Sequence, residues 1–279
     1  MRRNFNILFV AFGALLAGIA AAQERAVIPN FFDPQDRFEA PDLTELARLR
    51  FLTVTDFPPF SYVDREKQLV GYHVELARAI CDRLALEEKC EIQALPFAEL
   101  EKALTDGEGE ALLAGIAVTA GTRERLAFTR PYFRLPARFV ARRGVALEDA
   151  LASGLDGRSV AVRKGTAHEA YLARFFPAAA AKPFETDDAA LAALEAGEAD
   201  LLFSDALRLS QVLAGPKGAA LRFVGGPYGD PAYFGRGLAI AVRPEDDVLL
   251  QALNHALVAL NEKRVLEELY LRHFPIGLY

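Results

Sequence analysis

The chain has 279 residues, of which 52% are hydrophobic and 25% are charged. This composition is typical of a globular protein with a large core and excludes a disordered chain, and the length is sufficient for two ordinary domains. The 38 acidic residues outnumber the 32 basic ones, which argues against nucleic acid or an anionic membrane as a partner.

The N-terminus has the pattern of a secretory signal peptide over residues 1–22. Arg2 and Arg3 precede an apolar run at residues 7–19, and Ala20-Ala21-Ala22 offers a cleavage site. An uncleaved anchor is the alternative, but the run is shorter than the ~20 residues that a membrane span needs. Removing residues 1–22 leaves 30 basic and 38 acidic residues, a net charge of −8. We therefore expect an exported protein.

The chain contains two cysteines, Cys81 and Cys90. In an exported protein a closely spaced pair is most simply a disulfide, which here would tie a helix end to the next strand. The alternative is a free or metal-binding pair. Two thiols with no histidine nearby in sequence make a poor zinc site, so we expect no bound metal.

The first part of the chain alternates strands and helices after a proline-rich extension at residues 23–45. In order, we predict a short helix at 42–49, a strand at 51–54, a helix at 71–86, a strand at 91–95, a helix at 97–105 and a buried strand from 111 to 118. This alternation is the signature of a mainly parallel sheet covered by helices, and hence of the α/β class.

A second, similar series follows. In order, we predict a strand at 137–142, a helix at 147–152, a strand at 159–162, helices at 167–175 and 187–196, strands at 200–203 and 238–242, and helices at 248–260 and 262–272. We interpret the chain as two α/β units, the second inserted into the first. The expected crossing points lie near residues 137–142 and 235–242. Residues 46–140 and 236–279 would then form the first unit, and residues 141–235 the second.

Residues 111–133, ALLAGIAVTAGTRERLAFTRPYF, are the most distinctive stretch. An uncharged apolar run opens into a short polar turn, and open α/β sheets bind ligands at such strand ends. The small residues Gly115 and Ala117 would let a ligand approach the backbone closely. We therefore predict that this stretch, including Thr119, forms the floor of a small-molecule site.

The chain resembles the family 3 extracellular solute-binding proteins of bacterial ABC importers, the polar amino acid-binding type. Five blocks carry the resemblance, in the family's order: DFPPFSY (56–62), LVGYHVELARAICDRL (69–84), GEALLAGIAVTAGTRERLAFTRPYF (109–133), VAVRKGTAHEAYL (160–172) and GEADLLFSDALRL (197–209). The resemblance implies a two-lobed periplasmic-binding-protein fold of type II with two hinge strands. It also implies a periplasmic location and a small polar solute, an amino acid or related organic acid, bound between the lobes. An inner-membrane ABC permease as partner and a disulfide at Cys81 and Cys90 are implied as well.

For the carboxylate of an amino acid, the resemblance points to the turn at Thr166 and Ala167, where backbone N–H groups before a helix form an anion site. The family also uses an arginine in the turn after the third block's strand. Here the usual arginine position holds Thr122, and Arg123 comes one residue later. Either a rearranged turn brings Arg123 into the cleft, as we expect, or the arginine clamp is absent.

For the ammonium group, Asp205 stands where the family carries its acidic ligand, and the Gly115 carbonyl is a second acceptor. The alternative role for Asp205 is a helix N-cap. A hydroxyl common in relatives is replaced by Ala117. Phe57 and Phe60 are the expected aromatic walls, with Phe97 and Tyr72 behind them.

No nucleotide-binding or hydrolase motif is present in the sequence, so we expect no cofactor and no catalytic residue. We also expect a monomer. Two alternatives remain open. A cyclohexadienyl dehydratase-like lyase on the same fold could use Asp205, Glu169 or Asp56 as a general acid. A periplasmic sensor would present its closed form to a receptor instead of a permease.

Overall fold

The structure, a computed structural model, describes residues 32, 33, 35 and 37–279. The predicted signal peptide lies outside the described residues. In chain order, the strands are β1 (Leu49–Thr53), β2 (Asp56–Phe57), β3 (Ser61–Val63), β4 (Leu69–Val70), β5 (Cys90–Ala94), β6 (Ala111–Leu112), β7 (Ala127–Phe128), β8 (Ala137–Arg142), β9 (Ser159–Arg163), β10 (Ala180–Phe184), β11 (Leu201–Asp205), β12 (Leu221–Tyr228) and β13 (Ala241–Val242). The helices are α1 (Tyr72–Arg83), α2 (Leu100–Thr105), α3 (Ala120–Arg123), α4 (Glu148–Ala152), α5 (Ala167–Phe175), α6 (Asp187–Ala196), α7 (Ala206–Ala214), α8 (Pro231–Phe234), α9 (Asp247–Glu262) and α10 (Val265–His273).

Two sheets organise the described part of the chain. One has the strand order β5-β1-β6-β13-β7 and the other β10-β9-β11-β8-β12. In each, the first three strands of this order run parallel, and the neighbour of the third runs antiparallel to it. We refer to the first sheet with its helices as lobe 1 and to the second as lobe 2. A small antiparallel sheet of β2, β3 and β4 extends lobe 1.

The chain passes between the lobes twice, through two crossing segments at residues 129–136 and 235–240. An antiparallel bridge between Phe133 and Leu238 joins them. The strand β8, near which we expected the first crossing, pairs with β11 and β12 inside the second sheet. The expected boundary between residues 140 and 141 therefore falls within a strand, and the crossing itself comes before β8.

Each sheet is buried on both faces, because alternate residues of its strands enter different apolar clusters. In β1, Phe51 packs with α1, α9 and α10, whereas Leu52 packs with α2. In β9, Val160 and Ala161 divide in the same way. This burial explains why the parallel strands are apolar runs without alternation.

The disulfide between Cys81 and Cys90 is confirmed, with 6.2 Å between the two Cα atoms. It links α1 to the start of β5, as expected. No helix of the described residues is long and apolar enough to cross a membrane.

Several local predictions were wrong. The predicted strand at 111–118 is a regular strand only at β6 (Ala111–Leu112), and the one predicted at 238–242 only at β13 (Ala241–Val242). Residues 42–49 form no helix: a turn closed by the Leu46 N–H and the Leu43 carbonyl leads into β1. The strand β10 was not predicted at all. It is an alanine-rich edge strand with Pro183 in its middle and mostly exposed side chains, so it lacks the apolar pattern by which a strand is recognised.

Candidate functional site

The predicted site residues follow strand ends that lie at corresponding edges of the two sheets. Strands β1 and β6 run parallel in lobe 1, and β9 and β11 run parallel in lobe 2, so their carboxyl ends share an edge within each sheet. Gln211 in α7, the helix that follows β11, donates a hydrogen bond to the carbonyl of Pro58, which follows β2 in the loop after β1, at 3.2 Å. The two edges are therefore neighbours, and we expect the cleft between them.

An aromatic ring forms part of the lobe 1 side. Phe57 stacks on Phe60 with 4.7 Å between ring centroids. A Cβ atom at Gly115 would lie 2.8 Å from the Phe57 ring, and Gly115 has a φ of +72°. Glycine is therefore required where the strand end passes beneath the ring.

Phe60 and Tyr72, by contrast, are 0% and 1% exposed. Phe60 lies in a group of rings that includes His73 and Phe133. We therefore assign Phe60 to the support of Phe57 and not to the wall itself, and the same burial removes Tyr72 from the wall.

The polar turn after β6 satisfies its own hydrogen bonds. Thr119 caps α3 by accepting from the Thr122 N–H at 3.1 Å, and the Thr122 hydroxyl accepts from the Thr119 N–H at 2.9 Å. The Thr122 hydroxyl also approaches the Ala117 carbonyl at 2.7 Å. Thr122, at the family's usual arginine position, thus belongs to a capping box.

Arg123 is exposed, and its guanidinium lies over the Phe128 ring at 5.8 Å from the centroid. The concave region that it lines contains the crossing segments and none of the other predicted site residues. The structure therefore does not bring Arg123 together with Gly115, Thr166 or Asp205.

The lobe 2 turn lies at a helix start, where we predict an anion site. Thr166 is the N-cap of α5 and accepts from the Glu169 N–H at 3.4 Å, while its hydroxyl donates to the Arg163 carbonyl at 2.7 Å. The Glu169 carboxylate accepts from the Gly165 N–H at 2.6 Å, so the chain itself occupies that donor. At a helix start the N–H groups of Ala167 and His168 have no intrahelical partner, and Ala167 is exposed.

Asp205 ends β11 beside Ala137, where the chain enters lobe 2. Its Oδ1 atom accepts from the N–H groups of Leu207 and Arg208 at 2.8 and 3.2 Å, so the alternative role as a helix N-cap is present. These bonds use one carboxylate oxygen. Burial raises the pKa of Asp205, and the nearby Asp187 carboxylate raises it further. The environment therefore favours a cation beside this group.

Two further aromatic side chains, Phe97 and His168, lie near these strand ends and were not predicted as principal ligand contacts. Phe97 follows β5, the neighbour of β1, and its side chain is 58% exposed. His168 packs between Phe203 and Phe234, with ring centroids 5.7 and 5.1 Å away, and burial lowers the pKa of its imidazole. The position of Phe97 at a second strand end is the signal that could have identified it.

Among residues 32, 33, 35 and 37–279, no three or more His, Cys, Asp or Glu side chains are grouped so that they could hold a metal ion.

Comparison with known proteins places the chain in a family. Residues 49–276 match the family described as bacterial extracellular solute-binding proteins, family 3. A protein of Escherichia coli K12 named as ABC transporter arginine-binding protein 2 is 32% identical over 232 residues, which cover 83% of this chain and 92% of that one. The L-arginine-binding protein of Pseudomonas aeruginosa is 29% identical over 226 residues, covering 80% and 86%.

Solved structures show the same fold. The unliganded, open L-cystine solute receptor of Neisseria gonorrhoeae has a TM-score of 0.70 at 19% identity, covering 83% of this chain and 94% of that one. A Salmonella typhimurium periplasmic binding protein described for its high arginine specificity has a TM-score of 0.50 at 27% identity, covering 82% and 100%. The chain therefore has the two-lobed fold of periplasmic binding proteins, and it belongs to family 3 of the bacterial extracellular solute-binding proteins.

Proposed function

We propose that the chain captures a cationic amino acid between its lobes and delivers it to an inner-membrane ABC permease. The observation that carries the capture of an amino acid is Asp205, which lies at the interlobe edge of lobe 2 and whose carboxyl pKa is raised by burial. A ligand ammonium group beside it would compensate the cost of burying the carboxylate. Relatives named for binding arginine, or lysine, arginine and ornithine, support the cationic class.

In the proposed complex the ligand carboxylate accepts from the N–H groups of Ala167 and His168 at the start of α5. The Thr166 cap fixes this turn, and the helix dipole favours an anion there. The Asp205 Oδ2 atom and the Gly115 carbonyl receive the ammonium group. The ligand's polar end is thus recognised mainly by lobe 2.

The ligand side chain lies against Phe57 and Phe97 on the lobe 1 side. Aromatic faces attract a guanidinium or ammonium group as well as packing its methylene stem. The exposed Ala117 and the small Gly115 leave room for this approach. The ring of Phe57, backed by Phe60, is the rigid part of this wall.

We place the protein in the periplasm, after cleavage of the signal peptide at residues 1–22. The disulfide between Cys81 and Cys90 supports an oxidising compartment. The protein binds as a monomer and without turnover. Lobe 1 and lobe 2, which lie on either side of the bridge between Phe133 and Leu238, close on the solute.

The test is isothermal titration calorimetry of the purified chain with L-arginine, L-lysine, L-histidine, L-glutamine and L-glutamate. We expect saturable binding at one site, with at least one cationic amino acid bound at least about tenfold more tightly than L-glutamate. Preference for L-glutamate, or binding of none of the five, would overturn the proposal. Incubation with prephenate or arogenate checks for turnover, and product formation would contradict binding alone.

A further inference from the structure

His73, the second residue of α1, is a buried polar residue behind the proposed aromatic wall. It is 1% exposed. The centroid of its imidazole ring lies 4.8 Å from that of Phe60 and 5.9 Å from that of Phe57. The proposed ligand contacts do not include it. Because a buried polar side chain is costly unless it is hydrogen-bonded, the partners of His73 indicate what it does.

The backbone at the start of α1 holds the loop of residues 57–60, which we call the wall loop. The Tyr72 N–H donates to the Pro59 carbonyl at 3.0 Å. The His73 N–H donates to the Phe60 carbonyl at 2.7 Å. A Cβ atom at Gly71, which has a φ of +125°, would lie 2.3 Å from the Phe60 carbonyl oxygen. Glycine therefore lets the helix start and the wall loop meet directly.

The side chain of His73 reaches the first crossing segment. Its Nε2 atom lies 2.7 Å from the Tyr132 hydroxyl oxygen, and this hydrogen bond is buried, since Tyr132 is 2% exposed. The Tyr132 N–H donates to the carbonyl of Leu238, in the second crossing segment, at 2.9 Å. Tyr132 therefore stands where the two crossing segments are joined. His73 thus contacts both the wall loop and the crossing segments.

This hydrogen bond does not depend on a charged imidazole. Burial lowers the pKa of His73 to about 3, so the ring is neutral near pH 7. A neutral imidazole has one donor and one acceptor, and a tyrosine hydroxyl pairs with either. Removal of the hydroxyl would leave the Nε2 atom without this partner in a site closed to water, which favours a shift of the surrounding groups.

We propose that His73 is a positioning residue for ligand capture, which fixes the wall loop relative to the crossing segments through its hydrogen bond with Tyr132. This inference rests on the proposed function, in which Phe57 and Asp205 contact one ligand from different lobes. The lobes are joined at the crossing segments, so the distance between these two contacts depends on how firmly the wall loop is held there. A histidine that only fills the core would affect the free energy of unfolding and leave affinity unchanged.

The test is calorimetric titration of the purified full chain with L-arginine, or with whichever of the five amino acids binds wild type most tightly. Tyr132→Phe, which keeps the ring and removes only the hydroxyl, is compared with wild type, with and without Phe57→Ala. We expect Tyr132→Phe to weaken binding by about fivefold when Phe57 is present and by less than about twofold in the Phe57→Ala background. Thermal unfolding should show a similar loss of stability in both backgrounds, because the hydrogen bond is lost in both.

The matched control is Tyr270→Phe, which removes another buried hydroxyl of lobe 1, the acceptor of the Leu278 N–H at 2.6 Å. It should lower the melting temperature yet change the Kd by less than about twofold.

His73→Leu serves as a second variant if Tyr132→Phe melts too low to titrate. The double variant with Tyr132→Phe should lose no more affinity than either single variant, because both remove the same bond. His73→Gln, whose amide provides both a donor and an acceptor for the tyrosine hydroxyl, should recover most of the lost affinity.

Failure of this inference and failure of the proposed function give different results. If wild type binds none of the five amino acids, the proposed function fails, and the role of His73 in capture fails with it. If wild type binds and Tyr132→Phe binds equally well, only the role of His73 is overturned. An equal loss of affinity with and without Phe57→Ala would also overturn it, because the hydrogen bond would then not act through the wall.

Discussion

The two strand-end turns that border the cleft differ in how their polar groups are used. In lobe 1 the turn after β6 closes on itself, because Thr119 and Thr122 cap α3 for each other. In lobe 2 the turn after β9 leads into α5, whose first N–H groups have no intrahelical partner. Asp205 ends the neighbouring strand β11, and its capping bonds use only one of its two carboxylate oxygens. One lobe therefore offers an aromatic surface and the other offers charge and hydrogen bonds.

Similar sequence patterns at a strand end can therefore have different consequences. Both turns have an apolar strand followed by glycine and threonine. In lobe 1 the threonine caps the four-residue α3, which ends at the exposed Arg123, whereas in lobe 2 it caps the nine-residue α5. The dipole of the longer helix favours an anion at its N-terminus.

The largest effect is expected for Asp205→Asn. Removing the half-buried carboxylate that we propose as the partner of the ligand ammonium should cost about 2–5 kcal/mol of binding free energy, roughly 30-fold or more in Kd. Titration calorimetry with L-arginine measures it. The control is Asp188→Asn, which neutralises an exposed aspartate of lobe 2 that pairs with Arg208. Equal affinities for wild type and Asp205→Asn would show that lobe 2 does not hold the ammonium group.

Phe57→Ala should have the next largest effect, because it removes the ring above Gly115. We expect a loss of about 1–2 kcal/mol in L-arginine binding, on the order of tenfold in Kd. Phe57→Tyr keeps the aromatic face and should retain affinity within about threefold. If the alanine variant binds as tightly as the tyrosine variant, the ring is not part of the wall.

Affinity should also depend on pH. Burial raises the pKa of Asp205 in the free protein, and a bound cation lowers it again, so the ligand binds the ionised form. Affinity is therefore full above the raised pKa and falls by up to about tenfold per pH unit below it. His168, whose pKa is lowered by burial, stays neutral near pH 7 and gains charge only at lower pH. Asp187 and Arg208 also carry charge near these groups.

Titrations between pH 8 and pH 4 measure this dependence. In Asp205→Asn the acidic loss of affinity should largely disappear. An unchanged pH profile in that variant would assign the titration to another group.

The smallest effect is expected for Arg123→Ala. Its guanidinium lies over Phe128 and lines the concave region beside the crossing segments, so the Kd for L-arginine should change by less than about twofold. The sequence alone favoured the opposite outcome, in which this arginine clamps the ligand carboxylate. A loss of more than about tenfold would restore that interpretation and show that the turn rearranges on binding.

Much of the fold could be predicted because local signals agreed with it. The helix α6 was predicted with its observed bounds, since Thr186 caps its start and Gly197, with a φ of +80°, ends it. The helix α5 follows the same logic at Thr166. The apolar runs of β9 and β11 identified strands that are buried on both faces.

The site was harder to predict because it depends on side-chain direction. On a helix one residue turns the side chain by about 100°, so the offset between Thr122 and Arg123 moves the guanidinium to another face. Phe57 and Phe60 are both phenylalanines of one short stretch, so residue type does not distinguish them. The packing of Phe60 against His73 and Phe133 shows that Phe60 is the buried ring. Neither outcome is encoded in local propensity.

A crystal structure of the chain with L-arginine would test the proposed ligand contacts directly. We expect the α-ammonium nitrogen within about 3.2 Å of an Asp205 carboxylate oxygen. We also expect the α-carboxylate at the N–H groups of Ala167 and His168, with the Arg123 guanidinium outside the cleft. A ligand carboxylate held by the Arg123 guanidinium, with Asp205 bound only to the start of α7, would contradict it.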